Sequence, residues 1–196
     1  MLVGDLAKLP TSYETERLLV RKLNLNDDEA FYAAARESIN EAFPFLSWCH
    51  PDYSIDETRQ WLASMHSNWQ SSNSHSFVIT EKGNGRIIGG IGLNRIDENP
   101  VANLGYWIRT SACGQGIATE ASIGLANFGF KYMGLIRIEI VMSVANIASR
   151  KVAENIHAHL EGILRSRLLL QGSAHDAYSY SLLRSDLNDS QVAEGS

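Results

Sequence analysis

Cysteine is scarce in this chain, and its scarcity limits the chemistry that the sequence can support. Only Cys49 and Cys113 are present, they lie far apart, and no C-x-x-C pair accompanies them. The histidines at positions 50, 66, 159 and 175 form no metal-ligand motif either. We therefore expect no metal site and two free thiols, as is typical of proteins in a reducing cytoplasm.

A strong charge excess and long apolar runs are also missing. The net charge of −5 over 196 residues argues against a general nucleic-acid binder. No run approaches the roughly 20 apolar residues that span a bilayer, and the first ten residues lack the basic and apolar regions of a signal peptide. With 44% apolar residues, we expect one cytoplasmic domain with a sizeable core and no membrane partner. The sequence leaves monomer and homodimer open.

The most informative stretch is residues 101–133, whose pattern predicts a strand, a glycine loop and a helix. Apolar residues alternate along Val101–Ile108. From Ile117 they recur every three or four residues, and Gly134 marks the helix end. A second strand is predicted over Leu135–Val144. Two strands joined through a helix should be parallel, with a right-handed connection.

The loop between the first strand and the helix carries two closely spaced glycines, Gly114 and Gly116. The first N–H groups of a helix have no intrahelical partner and lie at the positive end of its dipole. Glycines let a ligand approach that backbone closely, so the loop predicts an anion site suited to phosphate or pyrophosphate. Taken alone, the pattern is weak evidence, because two glycines before a helix can also form a plain tight turn.

A wider set of residues surrounds this loop and agrees with a known family. Tyr106-Trp107-Ile108, followed after a spacer by GQGIATEA at 114–121, resembles the acetyl-CoA motif of the GNAT superfamily of N-acetyltransferases, and most closely its RimJ/RimL ribosomal-protein branch. The ordered matches cover nearly the whole chain: ETERL at 14–18, Val20-Arg21, Asn146-x-x-Ser149, Ala153-Glu154, LEG at 160–162, His175-Asp176 and YSLL at 180–183.

The resemblance implies an α/β fold: a mixed, mostly antiparallel sheet with a splayed parallel strand pair, flanked by helices. It implies a single domain over residues 1–184 and a flexible tail over 185–196. The splay should lie between Leu104–Ile108 and Ile138–Met142. Its unpaired strand edge would bind the amide-containing arm of the co-substrate acetyl-CoA like an additional strand.

The resemblance also implies the acetyl-CoA contacts, and no metal. Backbone groups of Trp107 and Ile108 would contact the acetyl and pantetheine parts, and Asn146 the CoA arm. Cys113 stands where the family usually has Arg or Gln, so one side-chain contact is lost while the backbone cradle remains. The predicted pyrophosphate site comprises Gly114, Gln115, Gly116, Ile117, Ala118 and the Thr119 hydroxyl.

The implied reaction is direct acetyl transfer to an amine. It requires donors near the carbonyl, a route for the ammonium proton and an acid near the sulfur. The resemblance assigns the acid to Ser149, although Asn146 and Ser149 also fit a plain helix cap.

His75 is the candidate base, because an imidazole suits that role. The alternative is that His75 is only an exposed histidine at the start of a strand and that a bound water is the base. Cys113 as a nucleophile is a rival idea, since a helix N-terminus lowers a thiol pKa, but no histidine adjoins it.

Several functions remain open at this stage. The main hypothesis is acetylation of a protein N-terminal α-amine, by analogy that of a ribosomal protein. A small amine acceptor (an antibiotic, polyamine or amino acid) fits the same fold. Two non-enzymatic alternatives are a nucleotide-binding module, with Glu139 on a ribose, and a CoA-binding sensor that tolerates loss of Ser149. His157 and Ala158 replace the family's usual Gly-Phe, which puts packing near the acyl pocket in question.

The remaining patterns predict the other elements. Residues 1–13 are expected to form an arm, and Thr15–Leu23 a strand. Asn26 with Glu29, and Ser54 with Glu57, have the spacing of capping boxes at helix starts. The remaining predictions are strands at His75–Glu81 and Arg86–Asn94 joined by an Asn-Gly turn, a helix at 147–157, and closing strands at His159–Leu170 and Asp176–Leu183.

Overall fold

An eight-stranded sheet forms the centre of the computed structural model, which describes residues 9–71, 74–96 and 98–187. The strands are β1 (Ser12–Glu14), β2 (Leu18–Lys22), β3 (Ser74–Glu81), β4 (Ile87–Arg95), β5 (Val101–Ile108), β6 (Arg137–Ser143), β7 (His159–Leu170) and β8 (Ser173–Leu182). The helices are α1 (Asp28–Glu37), α2 (Ile39–Ala42), α3 (Ile55–Ser71), α4 (Ile117–Tyr132) and α5 (Ile147–Asn155).

The strand order is β1-β2-β3-β4-β5-β6-β8-β7, and only β5 and β6 pair in parallel. All other neighbouring strands are antiparallel. The parallel pair is joined through α4, because parallel strands need a crossover longer than a hairpin turn. The predicted mixed, mostly antiparallel sheet with one parallel pair is confirmed.

Two apolar clusters cover the two faces of the sheet. Ala121, Leu125 and Phe128 of α4 pack in the larger cluster on one face. Phe31 of α1 and the ring of Trp107 belong to the second cluster, on the face that α1 to α3 cover. Successive strand residues point to opposite faces, so β5 sends Leu104 toward α4 and Trp107 toward α1.

Several local predictions are confirmed by the hydrogen bonds. Gly85 takes φ +68° in the β3–β4 turn, and the amide of Arg86 donates to Asn84 at 2.8 Å. The capping box at the start of α3 is complete: the Ser54 amide donates to Glu57 at 2.9 Å, and the Glu57 amide donates to the Ser54 hydroxyl at 3.3 Å. The turn and the helix start therefore follow from local chemistry.

The predicted cap of α1 is wrong by two residues. Asn24, not Asn26, caps the chain here, because the carboxylate of Asp27 accepts a hydrogen bond from the Asn24 amide at 2.7 Å. This reciprocal pair closes a 3₁₀ turn over Leu25–Asp27, and α1 begins only at Asp28. The capping box forms between Asn24 and Asp27 rather than between Asn26 and Glu29. Arg21 also binds Asp27, at 2.7 Å, and so stabilises this arrangement.

The chain ends are more ordered than the sequence suggests. Ser12–Glu14 pairs with β2 as an edge strand, so part of the expected arm belongs to the sheet. Residues 184–187 form a helical turn, and Leu187 is only 8% exposed within the core. The expected tail over 185–196 is thus structured at its beginning, and the remainder, 188–196, lies outside the described residues. Of the described helices, none combines the length and apolarity needed to cross a bilayer.

Candidate active site

The parallel strands β5 and β6 separate after three residue pairs. The ladder joins Val101 to Arg137, Ala102 to Ile138 and Asn103 to Glu139. Beyond Asn103, the described residues show no further β5–β6 pairing, although β5 continues to Ile108. On β5 the opening begins at Leu104, as the resemblance implied, whereas on β6 it begins after Glu139 rather than at the implied Ile138. The β6-facing edge of residues 104–108 thus offers N–H and C=O groups to an extended amide-containing ligand.

The glycine loop lies between the open end of β5 and the start of α4. Gly114 and Gly116 take φ values of +75° and +76°, which other residues rarely adopt. Gly116 is the N-cap of α4, and the first α4 bond runs from the Glu120 amide to the Gly116 carbonyl at 3.0 Å. The amides of the first turn therefore point out of the helix end, as an anion site requires.

One side of the loop is held by Arg17, which sequence reasoning did not single out. Its guanidinium donates to the Gln115 carbonyl at 2.9 Å and to Glu120 at 2.6 Å. Thr15 also donates to Glu120, at 2.5 Å. Burial works against the charge of Glu120, but these hydrogen bonds lower its pKa on balance. Because Arg17 engages the carbonyl side of the loop, the amide side is left facing outward.

The other side of the approach to the loop is held by Glu37 of α1. Its carboxylate accepts from the Ser111 amide at 2.9 Å and from Arg109 at 2.5 Å. The hydrogen bonds with Ser111, and then the Arg109 guanidinium, lower the pKa of Glu37 to about 2. The loop is therefore tied to both sheet faces, through Glu37 on one side and Glu120 on the other.

Cys113 is exposed, but its thiol turns back toward the main chain. Its Sγ lies 3.6 Å from the Ile108 carbonyl oxygen and 3.5 Å from that of Arg109. Burial, followed by the charges of Glu41 and Glu37, raises the pKa of the thiol. The burial of the thiol and the two nearby carboxylates raise its pKa, whereas a nucleophilic Cys113 would depend on the helix dipole to lower it. The rival covalent mechanism therefore lacks a thiolate.

Ser149 and Asn146 meet at the start of α5. The Asn146 side-chain oxygen accepts from the Ser149 amide at 3.0 Å, so Asn146 is a helix cap. The Ser149 hydroxyl is 3.0 Å from the hydroxyl of Tyr106, which reaches it from β5. Burial raises the pKa of Tyr106 to about 12, so its phenol stays protonated. Sequence reasoning missed Tyr106 as a partner because 43 residues separate the pair.

The two downstream tyrosines take other roles. The Tyr178 hydroxyl accepts from Arg150 at 3.4 Å, and the Tyr180 hydroxyl donates to Glu154 at 3.5 Å. Both partners lie on α5, so these tyrosines brace that helix. Among the described residues, their hydroxyls are paired with Arg150 and Glu154 rather than with Ser149.

A cavity of about 400 Å³ lies on the α1–α3 face beside β4 and β5. Gly105, Tyr106 and Trp107, which border the splay, also line this cavity. Its walls include Phe31 and Trp61, whose rings stack at 4.9 Å. The remaining lining comprises aromatic, apolar and glycine residues together with five polar residues: Leu46, Trp48, Tyr53, Met65, Phe77, Gly90, Ile91 and Gly92, with His50, Glu57, Ser74, Ser76 and Asn94.

Glycines of β4 make room for Trp107. A Cβ on Gly90 would lie 2.7 Å from the Trp107 Nε1, and a Cβ on Gly89 would lie 2.4 Å from the Trp107 carbonyl oxygen. No side chain fits at these distances, so β4 must carry glycine where Trp107 packs. The Trp107 ring then forms a wall of the cavity while its main chain continues along the splayed strand.

The structure does not bring His75 to this cavity. Its side chain is 0% exposed, and its ring packs edge-on against Trp69 at 4.9 Å. Neither ring nitrogen has a hydrogen-bond partner among the described residues. Burial, with the charges of Arg95 and Lys22, lowers its pKa to about 4. The alternation of β3 places the neighbours Ser74 and Ser76 at the cavity instead, which removes the basis for His75 as the base.

The replacement of Gly-Phe by His157-Ala158 has a local consequence. His157 has φ +60°, a conformation that glycine adopts without strain. Ala158 packs, partly buried, against the core. The backbone turn is therefore retained with a non-glycine residue. In the described part of the chain, no three His, Cys, Asp or Glu side chains are grouped as metal ligands.

Comparisons with known proteins agree with this geometry. The acetyltransferase (GNAT) domain model matches residues 17–159. The uncharacterized N-acetyltransferase p20 of Bacillus licheniformis is 30% identical over 171 residues, covering 87% of this chain and 94% of p20. The ribosomal-protein-serine acetyltransferase of Escherichia coli (strain K12) is 31% identical over 147 residues, covering 74% of this chain and 79% of the relative.

Solved structures share the fold. A RimL ribosomal α-N-protein acetyltransferase in complex with coenzyme A aligns with a TM-score of 0.80, covering 89% of this chain and 97% of that one. Its sequence identity is 24%, so this likeness speaks for the fold.

A splayed parallel pair with a glycine loop at a helix N-terminus, matched by these relatives, defines an acetyl-CoA-dependent acetyltransferase. The chain belongs to the GNAT family, and its relatives include ribosomal-protein acetyltransferases of the RimJ/RimL type. Glu139, the acidic contact of the dinucleotide-binding alternative, is paired with Arg137 at 3.0 Å.

Proposed function

We propose that the chain transfers acetyl from acetyl-CoA directly to a primary amine within a ternary complex, and that the acceptor is the N-terminal α-amine of a protein of the ribosomal type. One observation carries the proposal. The same three residues, Gly105 to Trp107, border both the splay between β5 and β6 and the cavity on the α1–α3 face. A donor in the splay and an amine in the cavity would therefore meet across a single strand.

The donor half of the proposal rests on the backbone. Bound acetyl-CoA would supply the acetyl group as a thioester. The open edge of β5 offers Trp107 and Ile108 main-chain groups to the pantetheine amides, and the α4 end offers the Gln115–Thr119 amides to the pyrophosphate. Asn146 would adjoin the CoA arm from α5. The outward-facing amides between two anchored sides of the loop support this cradle.

The acid of the reaction is Ser149. When the carbon–nitrogen bond forms and the carbon–sulfur bond breaks, the departing thiolate takes a proton from the Ser149 hydroxyl. The Tyr106 hydroxyl, 3.0 Å away, is protonated and can replace that proton. A serine that served only in the capped first turn of α5 would use its amide alone, whereas here its hydroxyl also lies 3.0 Å from the Tyr106 hydroxyl across the splay.

The protein α-amine is preferred to a small amine for two reasons. The E. coli relative named for ribosomal-protein serine is 31% identical over most of its length. The cavity is also only about 400 Å³, near the lower end of the range for sites that enclose drug-sized ligands. That size suits one terminal residue with the rest of the acceptor outside.

The test is binding followed by transfer. Calorimetric titration with acetyl-CoA, and with NADH and NADPH as controls, should give one saturable site for acetyl-CoA alone. Thiol release should then be measured with peptides bearing a free α-amine, the same peptides blocked at the N-terminus, and free polyamines and amino acids. Faster turnover of the free peptides supports the proposal. Faster turnover of polyamines would contradict the acceptor assignment, and binding of a dinucleotide would contradict the donor assignment.

A further inference from the structure

The cavity contains an ordered histidine–carboxylate pair that the sequence did not reveal. His50 Nε2 lies 2.8 Å from a carboxylate oxygen of Glu57, and both side chains line the cavity. They are 33% and 42% exposed, so they connect the cavity with solvent. His50 follows α2 in the irregular segment before α3, and Glu57 lies in the first turn of α3.

Glu57 is fixed by a separate set of bonds. Its other carboxylate oxygen accepts from the Ser54 amide and from the Ser54 hydroxyl, each at 2.9 Å. These Ser54 hydrogen bonds, and then the bond with His50, lower the pKa of Glu57. The carboxylate is therefore ionised and anchored to the helix start. A fixed anion on one ring nitrogen sets the ring orientation and tautomer of a histidine.

The cavity offers few other proton acceptors. Of its described lining residues, only His50 and Glu57 belong to types that ordinarily titrate at or below neutral pH. Tyr53 and Tyr106 have raised pKa values because they are buried. His75, on the other sheet face, is sealed from the cavity. A proton leaving an amine in the cavity therefore has the His50–Glu57 pair as its nearest route to solvent.

We propose that His50 is the general base that deprotonates the acceptor ammonium, and that Glu57 is its positioning residue. The inference rests on the proposed function. With Nε2–H donated to Glu57, the lone pair of the neutral ring is at Nδ1. An ammonium N–H transfers its proton to Nδ1, and the neutral amine then attacks the thioester. The resulting imidazolium is stabilised by the Glu57 carboxylate and releases its proton to solvent.

The titratable and charged groups around His50 come from several elements. Glu57, on α3, is its contacting anion, and the Tyr53 ring lies 6.0 Å from the imidazole. Arg36 of α1 donates to the Pro51 carbonyl at 2.7 Å, beside His50. The remaining titratable neighbours are the adjacent residues Cys49, which is buried, and Asp52, which is exposed, together with Tyr32, whose ring lies 6.1 Å from that of Tyr53.

The experiment measures kcat/KM against pH for three variants with a free-N-terminus peptide as acceptor. His50→Gln removes the base, and we expect a loss of about 10²–10⁴-fold near neutral pH together with loss of the acid limb. Glu57→Gln keeps hydrogen-bonding capacity at the α3 cap but removes the carboxylate that holds the His50 proton on Nε2, so kcat should fall toward that of His50→Gln while KM is little changed. His159→Gln, on the exposed strand β7, is the matched control and should leave the profile unchanged. Acetyl-CoA affinity should be the same in all three.

The outcomes separate this inference from the function on which it rests. If the native protein transfers acetyl to no amine, the proposed function fails. If it transfers acetyl and His50→Gln behaves like His159→Gln, the function stands and the base assignment is overturned. An unchanged kcat in Glu57→Gln would overturn the positioning role. Thermal unfolding checks that each variant is folded. Because the His50 and Glu57 side chains are partly exposed, we expect their replacements to leave the fold intact.

Discussion

Replacing His75 by phenylalanine should make the protein more resistant to acid. The His75 side chain is fully buried, and both ring nitrogens lack partners among the described residues. In the folded protein its pKa falls from 6.5 to about 4, so the folded state resists protonation that the unfolded chain accepts. Because the pKa of His75 is lower in the folded protein than in the unfolded chain, neutral His75 contributes stability to the fold. That stability is fully present above pH 6.5 and is lost as the pH falls toward 4.

The size of the effect follows from that shift. A difference of 2.5 units, from 6.5 to about 4, corresponds to about 2 kcal/mol of lost unfolding free energy at pH 5 and about 3 kcal/mol at pH 4. His75→Phe keeps a ring against Trp69 and removes the titration. It also removes two buried unpaired polar atoms, each of which costs on the order of 1–3 kcal/mol, so we expect no loss of stability at neutral pH.

The assay is urea unfolding of the native protein, His75→Phe and His159→Gln at several pH values between 4 and 8. Only the difference between variant and native protein is used, because the titration of carboxylates such as Glu37 then cancels. The difference for His75→Phe should grow by about 2 kcal/mol between pH 7 and pH 5, and His159→Gln, on β7, provides the comparison with an exposed histidine. A difference independent of pH would refute a buried neutral His75. Loss of the acid limb of the rate profile in His75→Phe would instead restore His75 as the base.

The remaining predictions concern the cradle, the acid and the packing of β4. Gly116→Asp should abolish acetyl-CoA binding in calorimetry, because it adds a negative charge at the anion site. Gly116→Ala, which meets only an Arg17 nitrogen at 3.5 Å, should cost about 1 kcal/mol of strain and retain measurable binding; equal binding by both variants would contradict the cradle. Ser149→Ala should slow single-turnover transfer by about 10²–10⁴-fold at unchanged acetyl-CoA affinity; an unchanged rate would leave the serine as a cap only. Gly89→Ala, whose Cβ would lie 2.4 Å from a carbonyl oxygen, should destabilise the fold by more than about 2 kcal/mol, whereas Gly83→Ala, with open space around it, should be near neutral in the same urea assay.

The parallel unit at the centre of the fold could be predicted because its signals are local. β5 spans Val101–Ile108 and α4 starts at Ile117, as the alternating pattern and the two loop glycines indicated. Periods of two and of three to four residues are properties of the isolated chain. Glycine at positive φ, as at Gly116, is equally local. The resemblance then extended this unit to the splay and the cradle.

The burial of His75 follows from a local pattern. Residues 75, 77 and 79 share one face of β3, and Phe77 and Ile79 belong to the buried core. The same period of two that identified β5 could have placed His75 on that inner face. Its position at the strand start suggested exposure, but α3 covers that end of the sheet through Trp69.

The sequence by itself determined the helices and strands of the central unit, the anion-binding loop and the family, because these depend on spacings within a few tens of residues. Only the tertiary structure decided which side chains share the cavity. Tyr106 and Ser149 meet across the splay although 43 residues separate them. His50, in an irregular segment without periodicity, meets Glu57 because Ser54 turns the chain into α3. Contacts of this kind depend on how whole helices and strands pack against one another. Hydrophobic burial drives that packing and is non-directional, so the sequence pattern does not indicate which distant residues will meet.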